Sequence, residues 1–281
     1  MKRVLVTGSS TGFGRLLCGA FLERGWKVYA TMRGAAGRLA LFSEEQKRYP
    51  SALTILSLDV ESAAEREAAA KEVEAAGGLD CLVNNAGFGQ IGPCEEITEA
   101  EWRKQFEVNF FGALFLTNKL LPSLRESKGR VINISSILGL SALPLGAAYS
   151  SSKFALEGWS ESLYHELRPH GVQVCVVEPG GFRTDFNRNL AVVPARPGSP
   201  YRGQLMAYER FRAKKMATGG SAPEKVARRV VKLAESRRMP LRALVGADAK
   251  AMDAVGRWLP RNWGTSLMSL VYSKVLRTDG A

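Results

Sequence analysis

The chain has 281 residues, 46% of them hydrophobic, and 39 Lys and Arg against 27 Asp and Glu give it a formal net charge of +12. That length and apolar content suffice for one large core, so a single domain over residues 1–281 is expected. The longest apolar runs, such as Phe110 to Leu116, fall far short of the roughly 18 residues that span a bilayer. Met1 is followed almost at once by the strand-like Val4-Leu5-Val6 rather than by a signal peptide, so a cytoplasmic protein is expected.

Short aliphatic runs bounded by turns recur at Arg3 to Thr7, Lys27 to Thr31, Leu53 to Leu58, Leu79 to Val83, Arg130 to Ile134 and Val172 to Val177. Between them lie stretches of helical spacing at Arg15 to Arg24, Ala63 to Ala76, Trp102 to Glu126 and Ala148 to Arg168. Strands that alternate with helices predict an α/β fold: a doubly wound parallel sheet of the Rossmann type with helices on both faces. Residues 186–220, with Pro194, Pro197, Gly198 and Pro200, break the rhythm and read as a loop or lid over a substrate. A strand at Leu241 to Val245 follows, and a C-terminal extension over 246–281 holds two short amphipathic helices, Met252 to Leu259 and Leu267 to Val275.

The first strand runs into Thr7-Gly8-Ser9-Ser10-Thr11-Gly12-Phe13-Gly14, which opens a helix. Gly8 permits the tight turn, Gly12 lets backbone approach a pyrophosphate, and Gly14 lets the helix pack on the strand. Unpaired amides at the helix start then hold the negative charge, with Ser10, Thr11 and Phe13 beside it. Where an NAD site carries an acid at the end of the second strand, this chain reads Thr31-Met32-Arg33. A guanidinium suits a 2′-phosphate, so NADP(H) is preferred and NAD(H) is the alternative. Arg33 also reads as a solvated arginine at a strand end. The residue before Gly12 is Thr11 rather than a base, so Arg33 would act with Ser9 or Ser10.

Tyr149 and Lys153 stand four apart in a helical stretch and share one face. A tyrosine titrates near pH 10, so its use as an acid/base near pH 7 costs about 4 kcal/mol, which a neighbouring ammonium and a nicotinamide cation can supply. Ser136, just after a strand, offers a hydroxyl to the same reacting oxygen. Phe88, Leu138, Leu143, Pro144, Leu145 and Phe182 are candidates for a dry substrate pocket, and equally for ordinary core. The four cysteines, Cys18, Cys81, Cys94 and Cys175, lack metal or disulfide spacing and read as fillers; no metal is expected.

At these residues the chain resembles the short-chain dehydrogenase/reductase family over roughly residues 2 to 245. The glycine turn, Asn84-Asn85-Ala86-Gly87, Asn109, Ser136, Tyr149-x-x-x-Lys153 and Pro179-Gly180 match its pattern in order. The resemblance implies that Tyr149 is the general acid/base, that Lys153 lowers its pKa and holds the nicotinamide ribose, and that Ser136 positions the carbonyl. It implies that Asn109 anchors a water relaying protons to Lys153. Asn85, Ala86 and Gly87 would pass the adenosine ribose, Asp59 with Val60 would meet the adenine, and Pro179, Gly180 and Thr184 would flank the nicotinamide. The segment Val28 to Arg33 and the Gly12-Phe13-Gly14 turn look most like the hydroxysteroid and retinol dehydrogenase branch, which implies a lipophilic alcohol or carbonyl substrate.

The resemblance also implies a homodimer or homotetramer built on the two long helices. A non-catalytic NADP-binding sensor or scaffold is the competing class. The basic excess is C-terminal: residues 188–281 hold 19 Lys and Arg against 6 acids, whereas residues 1–187 are balanced at 20 against 21. That reads as a solvated surface or as peripheral contact with anionic headgroups, and no nucleic-acid motif accompanies it.

Overall fold

Arg3–Val6 (β1) leads through the glycine turn into Gly12–Glu23 (α1), and Lys27–Met32 (β2), Ser43–Arg48 (α2), Leu53–Ser57 (β3), Ala63–Ala75 (α3) and Cys81–Asn84 (β4) follow. The second half runs through Gln90–Ile91 (β5), Glu99–Phe106 (α4), Gly112–Glu126 (α5), Arg130–Ile134 (β6), Ala147–Leu167 (α6) and Gln173–Pro179 (β7). Ala191–Val192 (β8), Arg202–Thr218 (α7), Glu224–Glu235 (α8), Arg242–Val245 (β9) and Ala247–Trp258 (α9) complete it. This computed structural model describes residues 1–187, 189–218 and 220–258, together with 263, 266, 269, 270, 272 and 273; most of the expected helix at Leu267 to Val275 lies outside them.

Seven strands pair in parallel in the order β3-β2-β1-β4-β6-β7-β9. The order reverses between β1 and β4, so the loops leaving their carboxyl ends part there and open a crevice. The strands are apolar on both faces because both are covered. Val4, Val6, Val28, Ala30, Ile132 and Val177 face one way and join Leu17 and Phe21 of α1 with Val226 and Val230 of α8. Their alternates Leu5, Tyr29, Leu82, Val131 and Val174 face the other way and join Val73 of α3, Leu116 and Leu120 of α5, and Leu163 of α6. Each such side chain contributes about 1.5–3 kcal/mol on burial.

Three departures from the sequence pattern bear on the site. The helix expected from Trp102 to Glu126 is broken by a π-helical turn at Glu107–Phe111, which carries Asn109. Residues 186–220 are not all loop. After Pro200 the segment from Gln204 to Thr218 has neither Gly nor Pro, and it makes up all but the first two residues of α7, with Leu205 and Ala207 buried. Helix α8, whose Val226, Val230, Leu233 and Ala234 form a buried stripe at 3.6-residue spacing, went unread between the lid and the last strand.

Candidate active site

The glycine turn occupies the switch point. Gly8 and Gly12 have φ of +66° and +55°, the left-handed region that favours glycine. At Gly14 a Cβ would come within 2.8 Å of the Gly8 carbonyl carbon and 2.6 Å of Asn85 Nδ2. The first residues of α1 have no side-chain cap and no acid in their first turn, so their amides point into the crevice without an internal partner from a side chain. This is the donor set that a dinucleotide pyrophosphate needs. Thr7 ties the turn to the next strand: its Oγ1 accepts from the backbone N–H groups of Asn85 and Ala86, both at 2.9 Å, and Asn85 Nδ2 donates back to the Thr7 carbonyl at 2.8 Å.

Ser9 does not join the crevice. It is fully buried, and its hydroxyl donates to the Thr31 carbonyl at 3.0 Å, which stitches β1 to β2. Of the two serines expected to assist Arg33, only the half-buried Ser10 is open to a ligand. Arg33 is exposed at the end of β2 and makes no ion pair among the described residues. Asp59 lies beyond β3, where Oδ1 accepts from the Glu61 N–H at 3.1 Å, and Val60 is buried against Gly112.

Tyr149 and Lys153 project from one face of α6, and both are buried, at 7% and 5% exposure. Lys153 Nζ donates to the Ile134 carbonyl at the end of β6, 2.8 Å away, and stands 5.9 Å from the Tyr149 ring centre. Gly87 is close by: a Cβ there would lie 3.8 Å from that Nζ and 3.1 Å from Asn109 Oδ1. The loop after β4, continuous with the glycine turn through Ala86, therefore reaches the lysine. Burial lowers Lys153 to about 8, opposed by the Glu157 carboxylate. Burial raises Tyr149 to about 12, opposed by the Ser136 hydroxyl. In the chain by itself Lys153 hydrogen-bonds the Ile134 carbonyl, and desolvation of the phenol prevails over its hydrogen bond with Ser136.

Ser136 Oγ also accepts from the Leu138 N–H at 3.1 Å, which fixes the 3-10 turn Ile137–Gly139 beside Tyr149. Asn109 Oδ1 accepts from the Phe88 N–H at 3.0 Å while Nδ2 donates to the Phe88 carbonyl at 2.9 Å and to Ser152 Oγ at 3.1 Å. The π turn is what aims this amide inward, a frequent use of such insertions. Thr184 stands 3.8 Å from where a Gly12 Cβ would be, so the segment after β7 crosses back over the glycine turn. Pro179 ends β7, and Gly180 leaves room for the Asp248 carboxylate, whose Oδ2 accepts from the Gly181 N–H at 2.6 Å. Asp248 was not foreseen, although an acid in the first turn of a helix after Gly246 is a recognisable signal.

On the substrate side Phe88, Leu138 and Leu143 are half-buried around Tyr149's end of the sheet. Of the two readings open for Phe182, the structure takes ordinary core over pocket wall. Phe182 is 5% exposed and packs edge-on against Phe13, ring centres 5.7 Å apart, inside the core cluster shared with α1 and α8. A parallel bridge from Phe182 to Ser221 holds it there. The aromatic side chain that stands beside the tyrosine is Phe186, whose ring centre lies 5.6 Å from that of Tyr149. Leu145 is buried at a φ of +63°, four residues before Tyr149, with its carbonyl accepting from the Gly92 N–H at 2.8 Å.

A doubly wound parallel sheet with a glycine turn at its switch point and a buried tyrosine and lysine at the adjoining strand ends defines a nucleotide-dependent oxidoreductase. The chain belongs to the short chain dehydrogenase family, whose profile matches residues 2–192. It is 32% identical over 275 residues to 3-ketodihydrosphingosine reductase of Bacteroides thetaiotaomicron, covering 96% of this chain and 97% of that one. It is 37% identical over 194 residues to the NADPH-dependent 3-dehydrocapnine reductase of Ornithobacterium rhinotracheale, covering 66% and 67%. Among solved structures, a short-chain dehydrogenase from Streptomyces avermitilis superposes with a TM-score of 0.80 at 34% identity, covering 98% of this chain and 95% of that one. A short chain dehydrogenase from Burkholderia cenocepacia in complex with NADP superposes at 0.74 with 28% identity, covering 95% and 99%. An oxidoreductase acting on CH–OH or carbonyl groups with a nicotinamide dinucleotide is what these likenesses establish.

Proposed function

We propose that the protein is an NADPH-dependent reductase of a lipophilic ketone or aldehyde. The observation that carries it is the buried Tyr149–Lys153 pair beside Ser136, joined to the glycine turn through Ala86 and Gly87. When bound, the nicotinamide supplies the hydride. Gly8, Gly12 and Gly14 with the first amides of α1 would hold its pyrophosphate, and Ser10, Thr11 and Phe13 would border it. Asp59 and Val60 would meet the adenine, Asn85, Ala86 and Gly87 the ribose, and Pro179, Gly180 and Thr184 the nicotinamide. Lys153 would hold the ribose hydroxyls, and Asn109 would fix the loop that carries Phe88.

A phenol raised to about 12 keeps its proton at neutral pH. That proton would go to a carbonyl oxygen, with Ser136 giving a second hydrogen bond to the oxygen as its charge grows. Arg33 faces solvent unpaired among the described residues where a 2′-phosphate would lie, which supports NADPH over NADH. Phe88, Leu138, Leu143 and Phe186 give the substrate an apolar wall, and α7 with residues 186–200 would close over it. The two relatives named for carbonyl groups at position 3 of their substrates support a ketone as the reactant. Assembly would use the outer faces of α5 and α6, where Phe115 and Phe154 are each 42% exposed.

NADPH oxidation against linear ketones and aldehydes of rising chain length tests the reading, and activity should grow with chain length. Tyr149→Phe should leave NADPH binding by fluorescence within about twofold and lower kcat by about two to four orders of magnitude. Unchanged turnover in that variant would remove the tyrosine from the chemistry.

A further inference from the structure

Helix α6 carries a third ionisable group on the face of Tyr149 and Lys153. Glu157 follows Lys153 by one further helical turn, is 4% exposed, and is covered by the 3-10 turn after Ser136. That cover is tight: a Cβ on Gly139 would meet Glu157 Cγ at 3.0 Å and Ser135 Oγ at 2.8 Å. From the sheet side Arg242 of β9 reaches in, with Nε 3.3 Å from Glu157 Oε2 and 3.5 Å from Oε1 of the fully buried Glu178 on β7, while Nη2 holds the more exposed Glu161 at 2.9 Å. Two buried acids thus share one guanidinium, and the first of them stands one turn along α6 from the lysine. Such an arrangement is costly, because each buried charge is desolvated and removal of a partner strands the other.

We propose that Glu157 is a positioning residue for Lys153: its carboxylate, braced by Arg242 and the Ser135 side, is the counter-charge that keeps the buried ammonium protonated and aimed at the end of β6. The inference deepens the proposed function, since it rests on Lys153 acting as an ammonium beside Tyr149. The geometry explains why Glu157 is suited to this. Residues four apart on a helix have Cβ atoms ~6 Å apart, so the two side chains share one buried face, and the Glu157 carboxylate there opposes the desolvation of the amine. The groups around Lys153 are few. Its own helix gives Tyr149 and Glu157, β7 gives Glu178, β9 gives Arg242, and α6's outer turn gives Glu161. The π turn and β6 give the neutral Asn109, Ser135 and Ser136, and α9 places Asp248 at the end of β7. Among these, Glu157 is the acid that stands one turn from the amine.

The direct test is the titration of Lys153 in the cofactor-free protein, followed by the 13Cε resonance assigned through its loss in Lys153→Met. In Glu157→Gln the midpoint should fall by about one pH unit, and kcat/KM for NADPH with decanal should fall about tenfold at the alkaline end of the profile and little at the acid end. An unmoved midpoint, or a loss equal at every pH, would overturn the proposal, because a residue that merely packs would act uniformly. Should Glu157→Gln fail to fold, Lys153→Met reads the same coupling from the other side: the 13Cδ titration of Glu157 should rise by about one pH unit when the ammonium is removed, and an unmoved midpoint would be fatal to the idea. Tyr149→Phe separates the two readings. If it retains turnover while the Lys153 midpoint moves as stated, the acid/base assignment fails and the electrostatic role of Glu157 stands.

Discussion

Two glycines of α1 make the sharpest test of how the cofactor turn is built. Gly14→Ala places a methyl 2.8 Å from the Gly8 carbonyl carbon and 2.6 Å from Asn85 Nδ2, atoms held by the Thr7 latch that cannot swing aside. Overpacking against backbone costs about 3 kcal/mol, from which the helix propensity of alanine over glycine returns about 1 kcal/mol. The net loss of about 2 kcal/mol corresponds to a Tm lower by roughly 4–8 °C for a chain of this size. Gly19→Ala, in the same helix with nothing within 4 Å of the new methyl and no left-handed φ, keeps only the gain. It should raise Tm by roughly 2–4 °C. Thermal melts of both variants, with NADPH titrated by fluorescence quenching, read the comparison, and Gly14→Ala alone should lose cofactor affinity by tenfold or more. A Gly14→Ala protein that melts with the wild type and binds NADPH equally well would refute the close approach of helix and turn.

Other variants examine the rest of the site. Arg33→Asp should move the ratio of kcat/KM for NADPH over NADH down by tenfold or more, since a carboxylate repels a 2′-phosphate and accepts ribose hydroxyls; an unchanged ratio would take Arg33 out of the cofactor site. Lys153→Met should abolish turnover yet stabilise the fold near pH 7. Holding a charge on a base lowered from 10.5 to about 8 costs about 3 kcal/mol, less about 1–2 kcal/mol for the lost bond to Ile134. Because the folded-state value lies below the unfolded one, that cost is complete below about pH 8 and vanishes above pH 10.5, so the difference in Tm should close as pH rises through this window. Phe182→Ala should destabilise by about 3–5 kcal/mol, as loss of a core ring does, whereas Phe186→Ala should leave Tm nearly unchanged and reduce kcat/KM.

The alternation of aliphatic runs and helical stretches made the sheet legible because both sheet faces are covered, so each strand reads as a continuous apolar run. Local chemistry made Gly8, Gly12, Gly14, Tyr149, Lys153 and Ser136 legible in the same way, each through a conformational or electrostatic need of its own. What stayed hidden depends on distance along the chain. Ser9 looks like a free hydroxyl until β2 is placed beside it, and Phe182 looks like a pocket wall until Phe13 and Ser221 close on it. The π turn at Glu107–Phe111 leaves no mark in a helical pattern, since one inserted residue shifts the periodicity by less than the pattern can resolve. Helix α7 was obscured by the prolines that precede it, and the sharing of Arg242 by Glu157 and Glu178 joins residues more than sixty positions apart.

The small pairing of β5 with β8 carries a mechanical consequence. Ala191 and Val193 donate to the carbonyls of Gly89 and Ile91, each at 2.8 Å, and these two bonds link the strip over Tyr149 to the rest of the molecule outside the seven-stranded sheet. Its anchorage, β5, is clamped in turn by Gln105 through the Gln90 N–H at 2.7 Å and by Asn109 at Phe88. Apolar burial adds to these bonds: Val193 packs with Ile97 and with Ala148 of the tyrosine's helix, and Leu205 of α7 packs with Ile91 and Leu145, so lifting the strip would uncover the ground beside Tyr149 as well. The strip and the catalytic helix thus share one apolar seam that stands apart from the seven-stranded sheet.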